Sequence, residues 1–152
     1  MKKFEFTGET KTISLFFRTA TLHRIRAVAE FGLVKIGDLG GWIEKEENLS
    51  HEGKAWVCGD AEVCGDAKVF SASHVLVIGA IGSRDDFTTF FRDKDNEITV
   101  KCGCFLGKID KFLEKVTQTH GDSKYALVYR AAVEVARLQI DLLGEAPKDA
   151  DE

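Results

Sequence analysis

The feature that most constrains this 152-residue chain is a six-residue repeat between Ile43 and Ile78, clearest from Trp56 to Val69 as WVCGDAEVCGDAKV. Two interlocked registers run through it: one holds Val57, Val63, Val69 and Val75, and the other Ile43, Leu49, Ala55, Ala61, Ala67 and Ser73. This period fits neither an amphipathic helix nor a single two-sided strand. It fits a solenoid in which each hexad forms one side of a three-sided prism. The repeat therefore predicts about two stacked coils.

Each hexad has a position for every role that such a coil needs. The branched valine points inward, the small alanine or serine lies near the corner, and Gly-Asp forms the turn, because glycine tolerates positive φ and aspartate bonds its own turn backbone. A solenoid buries its core only by stacking, so two coils need caps at both ends, a partner subunit, or both.

Composition limits the classes of function. The 44% hydrophobic content indicates a folded protein, and the net charge of −4 with mixed signs argues against non-specific nucleic-acid binding. The first ten residues lack the apolar segment of a secretory signal, and no stretch approaches the length of a membrane span. We therefore predict a cytoplasmic protein, without membrane association or a cofactor, whose four cysteines are reduced.

The chain divides into four predicted segments. Residues 1–41, with short strands at 3–6, 12–17 and 22–28, form an N-terminal β cap, and residues 42–78 form the hexapeptide-repeat solenoid. Residues 79–144 hold a β-hairpin (87–92 and 98–105) and two helices within 108–143, and residues 145–152 form a disordered acidic tail. The fold class is mainly β with C-terminal helices (α+β).

The second predicted helix has two apolar stripes. One stripe holds Tyr125, Tyr129, Ala132, Val133, Ala136, Ile140 and Leu143, and the other holds Val128, Ala131, Val135, Leu138 and Leu142. A helix that is apolar on two faces lies between two surfaces, and one of these can belong to another subunit. We therefore expect a homo-oligomer, either a trimer or a dimer.

The hexads resemble those of left-handed parallel β-helix proteins, a class that includes bacterial acyltransferases and γ-class carbonic anhydrases and whose members are commonly trimers. The whole layout resembles small phage and prophage proteins of undefined function. That second resemblance rests on Gly37-Asp38-Leu39-Gly40-Gly41, the Gly-Asp-Ala hexads, Ile81-Gly82-Ser83-Arg84, Cys102-Gly103-Cys104-Phe105 and His120-Gly121-Asp122. It implies a left-handed β-helix in a phage-encoded protein that interferes with a host process, by sequestering a nucleotide signal or blocking a host defence protein.

The loop after the repeat carries the densest group of polar side chains. We predict a ligand site formed by Ser83, Arg84, Asp85, Thr88, Thr89 and His120. Arg84 and the backbone N–H groups beside Gly82 can hold a phosphate or carboxylate through forked hydrogen bonds. Two alternatives remain: Arg84 pairs with Asp85 or Asp86 in a structural turn, and His120 packs in an interhelical turn.

No complete catalytic or metal-binding set is evident. Cys102 and Cys104 share one side of a strand with apolar neighbours, which favours buried structural cysteines, and a thiolate at Cys104 with His120 as base is the alternative. His51 and His74 lie in the repeat, where the resembling enzymes place a catalytic or metal-binding imidazole. We interpret both as surface histidines, because no third ligand is identifiable.

The sequence thus favours a non-enzymatic oligomer that binds a small anionic or nucleotide ligand or a host protein near residues 79–123. One alternative is an enzyme, either a hexapeptide acyltransferase or metal-dependent enzyme using His51 or His74, or a Cys/His hydrolase using Cys104 and His120. The other is a structural scaffold, which the two capping segments disfavour because a capped solenoid cannot propagate.

Overall fold

The computed structural model describes residues 2–142, which form two four-stranded sheets followed by two helices. The strands are β1 (Phe4–Ser14), β2 (Thr19–Ala27), β3 (Leu39–Ile43), β4 (Glu62–Val63), β5 (Val75–Ile81), β6 (Asp86–Arg92), β7 (Ile98–Cys102) and β8 (Phe105–Lys108), and the helices are α1 (Ile109–His120) and α2 (Lys124–Gln139). Within residues 2–142, neither helix has the length and apolar character needed to cross a membrane. The predicted tail at 145–152 lies outside the described residues.

The first sheet has the order β1-β2-β3-β4. Strands β1, β2 and β3 pair antiparallel, and β3 pairs with β4 in parallel. The strands predicted at 3–6 and 12–17 belong to one long strand, β1, whose pairing is interrupted between Phe6 and Thr10 around Gly8 at φ 95°. The predicted segment boundaries at 41/42 and 78/79 fall inside β3 and β5.

The prediction of a left-handed β-helix of about two coils is wrong. Parallel pairing within the repeat is limited to β3 with the two-residue strand β4 and to one bridge between Leu49 and Val69. A solenoid needs such a ladder on coil after coil. Here the far edge of the repeat instead meets the second sheet in antiparallel register, through the Ala67–Asp93 bridge. The repeat therefore joins two sheets and does not propagate along an axis.

The hexads nevertheless bury the residues that their period marks. Eight positions of the two registers are at most 1% exposed: Ile43, Leu49, Ala55, Val57, Ala61, Val63, Ala67 and Val69. Gly59 and Gly65 adopt φ of 54° and 62°, as predicted for the Gly-Asp turns. The six-residue period thus identified the buried side chains but not the number of stacked strands.

The second sheet is an antiparallel meander, β5-β6-β7-β8. The predicted hairpin is confirmed as β6 and β7, but its second strand, predicted over 98–105, ends at Cys102, and the turn at Gly103-Cys104 leads into β8. The two predicted helices are confirmed as α1 and α2. Both helices pack on one face of this sheet through the predicted apolar residues, of which Phe112, Val116 and Val133 are buried with Phe90 and Val100. Part of the other predicted stripe of α2 faces outward, since Val135 and Leu138 are 47% and 89% exposed, whereas Leu142 packs against the core.

Strand β6 contributes to two hydrophobic cores because successive side chains of a strand point to opposite faces. Phe90 packs among the helices, whereas Phe91 packs among the hexad valines and alanines. Both rings are fully buried. The same alternation places each polar side chain of β6 on one of the two faces of the strand. That face decides whether the side chain can contact a ligand.

Candidate ligand-binding cavity

A cavity of about 150 Å³ opens where the second sheet, the two helices and the β1–β2 turn meet. Aromatic and aliphatic side chains form much of its wall: Phe16, Ile81, Phe105, Phe112, Val116 and Tyr129. The polar groups come from the loop between β5 and β6, from β6, from the β7–β8 turn and from α1. They are Ser83, Arg84, Asp86, Thr88, Cys102, Cys104, Lys115, Thr119 and His120. Small-molecule sites commonly combine an apolar wall with a few convergent polar groups in this way.

The loop that carries Arg84 is a tight turn fixed at both ends. Gly82 and Asp85 adopt positive φ of 80° and 47°, and the Asp85 N–H donates to the Gly82 carbonyl at 3.3 Å. Gly82 must be glycine, because a Cβ there would overlap the hydroxyl of Tyr129. The turn thus packs against α2 and directs Ser83 and Arg84 into the cavity.

The floor of the cavity is a contact between β6, β7 and α2. Thr88 Oγ1 donates to Cys102 Sγ at 3.4 Å, and Tyr129 lines the cavity beside the same cysteine. Burial is the main cause that raises the pKa of Tyr129 to about 12, and the neighbouring Cys102 adds to it. Tyr129 is therefore protonated at neutral pH and can act as a hydrogen-bond donor.

Phe16 and Lys115 form the mouth. The Phe16 N–H donates to the Cys104 carbonyl at 3.0 Å, which holds the β1–β2 turn over the β7–β8 turn. The Lys115 ammonium lies 4.9 Å from the centre of the Phe16 ring, within cation–π range. The Phe16 side chain is 62% exposed, so the ring presents a free apolar surface at the entrance.

Two cations face this cavity without an ionic partner in the described chain. Across residues 2–142, no carboxylate lies within ion-pair distance of Arg84 or Lys115. The proposed turn pairing of Arg84 with Asp85 or Asp86 is therefore not formed. Asp86 Oδ1 instead accepts the Phe87 N–H at 2.7 Å. Two cations against one carboxylate make the lining suitable for an anion.

The structure brings together four of the six predicted ligand-site residues, Ser83, Arg84, Thr88 and His120. Asp85 is exposed beside the cavity but does not line it. Thr89 points to the opposite face of β6, where its Oγ1 accepts the Glu62 N–H at 3.0 Å. His120 ends α1, and its ring stacks on Tyr129 with centroids 5.7 Å apart, so the predicted interhelical packing and the cavity position coexist.

The two repeat histidines contact the backbone, and His51 also contacts a neighbouring ring. His51 Nδ1 accepts the Lys3 N–H, and its ring stacks on Phe4 at 4.1 Å. His74 Nδ1 accepts the N–H groups of Phe70 and Ser71, both at 3.0 Å. Our interpretation of His74 as a surface imidazole is wrong, because the side chain is only 9% exposed. In the described part of the chain, no three His, Cys, Asp or Glu residues form a group suited to a metal ion.

The four cysteines are unpaired and differ in environment. Cys64 is fully buried, and burial raises the pKa of its thiol to about 12, so it is inert at neutral pH. Cys58 is exposed on the surface. Cys102 and Cys104 are partly exposed in the cavity, so the prediction that both are buried is wrong, although Cys102 packs against the helical core.

Sequence reasoning missed Tyr129, Lys115 and Phe16 as members of the cavity. Tyr129 carried a usable signal, because a hydroxyl on the buried stripe of a helix needs a partner. In the sequence, Lys115 looks like an ordinary exposed helix residue. Phe16 reaches the cavity from a turn that is distant in the sequence. Their recruitment depends on tertiary packing that no local pattern encodes.

No protein-family model, curated protein or solved structure matches this chain.

Proposed function

We propose that this chain is a non-enzymatic binding protein that holds a small anion with a planar apolar part, such as a nucleotide, in the Arg84 cavity. The observation that supports this most directly is the pair of cations, Arg84 and Lys115, that face one aromatic-lined cavity without a carboxylate partner in residues 2–142. Arg84 and the Ser83 hydroxyl bind the anionic group, and Phe16 and Phe105 cover the apolar part.

The proposal is tested by calorimetry with a defined panel: nucleoside monophosphates, benzoate and inorganic phosphate. At least one aromatic anion is expected to bind more tightly than inorganic phosphate, because it also buries apolar surface. Arg84→Gln should weaken that binding about tenfold or more, since hydrogen bonds to charged groups contribute about 1.5–3 kcal/mol.

Lys124→Gln is the matched control, because Lys124 is an exposed cation at the start of α2 that does not line the cavity. Its binding should equal that of the unmodified chain. Absence of binding across the panel, or an equal loss in the two variants, would contradict the proposal.

A second candidate function, a Cys104/His120 hydrolase, is favoured by the finding that both residues line this cavity. The His120 ring, however, stacks on Tyr129 and lies tilted against Tyr125, and within residues 2–142 no hydrogen bond joins it to a thiol. Release of nitrophenol from an activated ester, abolished in Cys104→Ser but retained in Cys58→Ser, would favour the hydrolase over the binding protein.

We further propose that the protein works in the cytoplasm, since four unpaired cysteines are typical of a reducing compartment. Phage origin and the blocking of a host defence protein remain predictions from the resemblance. Capture of a protein by the unmodified chain, but not by the Arg84→Gln variant, would support a protein target for the same cavity.

A further inference from the structure

Cys102 and Cys104 lie on either side of Gly103 in the turn between β7 and β8, at the edge of the cavity. Cys102 pairs with Phe105, so Gly103 and Cys104 form a two-residue connection. Gly103 adopts a φ of 58°, the conformation that a type II′ hairpin turn requires at its first central position. Both thiols are thus held on a fixed turn.

The separation of the two cysteines along the chain permits a bridge. Residues two apart have Cα atoms at most about 7 Å apart even in a fully extended chain, and a turn shortens that span. Disulfides join Cα atoms up to about 7 Å apart. The partial exposure of both residues leaves them accessible from the cavity.

The surroundings of Cys102 suit a thiolate nucleophile. Its sulfur accepts the Thr88 hydroxyl at 3.4 Å, and Tyr129 lines the cavity beside it. Arg84 lies against the same turn, so close that a Cβ on Gly103 would come within 3.3 Å of Nη1. Hydroxyl donors and a nearby guanidinium stabilise the negative charge that a cysteine carries when it attacks a substrate.

We propose that Cys102 and Cys104 form a peroxide-reactive dithiol in which Cys102 is the attacking thiol and Cys104 the resolving thiol. The Cys102 thiolate attacks one oxygen of a hydroperoxide. The S–O bond forms, the O–O bond breaks, and the second oxygen leaves with a proton as water or alcohol. The Cys104 thiol then attacks the sulfenic sulfur, the S–S bond forms and water leaves. The two thiols lose two electrons, and the hydroperoxide gains them.

This inference goes beyond ligand binding and does not depend on it. Cys58 provides an internal reference, because it is an exposed cysteine outside the cavity. Trypsin cleavage after Lys101 and Lys108 releases Cys102 and Cys104 together on one peptide that contains no other cysteine.

The experiment treats the full chain with stoichiometric hydrogen peroxide, without any ligand, and reads the peptides by mass spectrometry. The peptide 102–108 is expected to lose two hydrogens, and an external dithiol should restore them. In Cys104→Ser, dimedone should trap a sulfenic acid at Cys102 about tenfold or more faster than at Cys58, because the Thr88 hydroxyl contacts Cys102 and Arg84 lies against its turn. Arg84→Gln should slow that trapping.

Two results would overturn the proposal: an unchanged 102–108 peptide in the unmodified chain, or Cys102 trapping no faster than Cys58. In Cys102→Ser, Cys104 should react no faster than Cys58, and a faster reaction would contradict the assigned roles. Thermal melts of the variants identify misfolded samples. The assay contains no ligand, so its failure leaves the calorimetric test of binding unaffected.

Discussion

At the scale of one residue, His74 is a candidate for enzyme chemistry in the sequence, and in the structure its side chain stabilises a turn. Its imidazole accepts two backbone N–H groups at the entry to β5, which only a neutral nitrogen can do. Burial, with a smaller contribution from Arg92, lowers the pKa of His74 to about 4, and Asp141 opposes this shift. Protonation of His74 therefore removes the acceptor of these two hydrogen bonds and destabilises the folded turn.

We predict a pH-dependent loss of stability that belongs to His74. The folded pKa lies below the ordinary value of 6.5, so the unfolded chain binds more protons between these two values. The stabilisation is complete above about pH 6.5 and is lost as the pH falls toward 4, by roughly 1–3 kcal/mol. Urea unfolding at pH 7.5 and 4.5 measures it.

The comparison that isolates this effect is His74→Asn, whose amide oxygen can accept a backbone N–H but does not titrate. His51, whose pKa burial also lowers, contributes equally to both proteins and cancels. Equal losses of stability in the two proteins between pH 7.5 and 4.5 would assign the pH dependence elsewhere.

At the scale of one element, β6 separates two adjacent threonines with different roles. Thr89 accepts the Glu62 N–H on the hexad side, whereas Thr88 faces the cavity and donates only to a sulfur. Both side chains are 1% exposed, so burial does not distinguish them. Their different partners do.

We predict that Thr89→Val destabilises the fold more than Thr88→Val. The first variant leaves the Glu62 N–H without its partner, at a cost of about 1–3 kcal/mol, and the second removes only a weak contact with sulfur. Chemical denaturation of the two matched variants measures the difference. A larger loss of stability for Thr88→Val would show that the contact of Thr88 with Cys102 stabilises the fold more than the hydrogen bond of Thr89.

The same strand explains which parts of this structure could be predicted from sequence. Alternation and helical spacing correctly gave β6, β7, the helices and the buried hexad positions, because these patterns are local. They could not give the pairing partners of β3 and β4, which depend on contacts distant in sequence. The prediction of Thr88 and Thr89 in one site failed for a simpler reason, since adjacent strand residues face opposite ways.

At the scale of the whole molecule, the outward side of α2 exposes several large apolar side chains. Leu127, Val135 and Leu138 are 61%, 47% and 89% exposed and lie along one side of the helix. A second copy can cover such a stripe with its own, because a two-fold axis brings identical surfaces together. The predicted homo-oligomer therefore has a candidate interface.

We predict that the chain self-associates through this stripe and that Leu138→Glu shifts it toward the 16.9 kDa monomer. Burying an unpaired carboxylate at the interface opposes association. Sedimentation velocity across a concentration series measures the mass. Leu33→Glu is the control, because Leu33 is 99% exposed in the loop before β3 and should leave the oligomer unchanged. A monomeric mass for the unmodified chain at every concentration would contradict the prediction.

Because β6 contributes to both hydrophobic cores, it couples the unfolding of the two halves of the chain. Phe90 and Phe91 anchor different cores, so one core cannot open fully without withdrawing β6 from the other. The hexad half and the helical half are therefore coupled into one cooperative unit, in the sense of a single foldon. Dividing the chain between residues 78 and 79 would leave the N-terminal fragment without β6 and the C-terminal fragment without most of β5, which makes the two halves interdependent for folding.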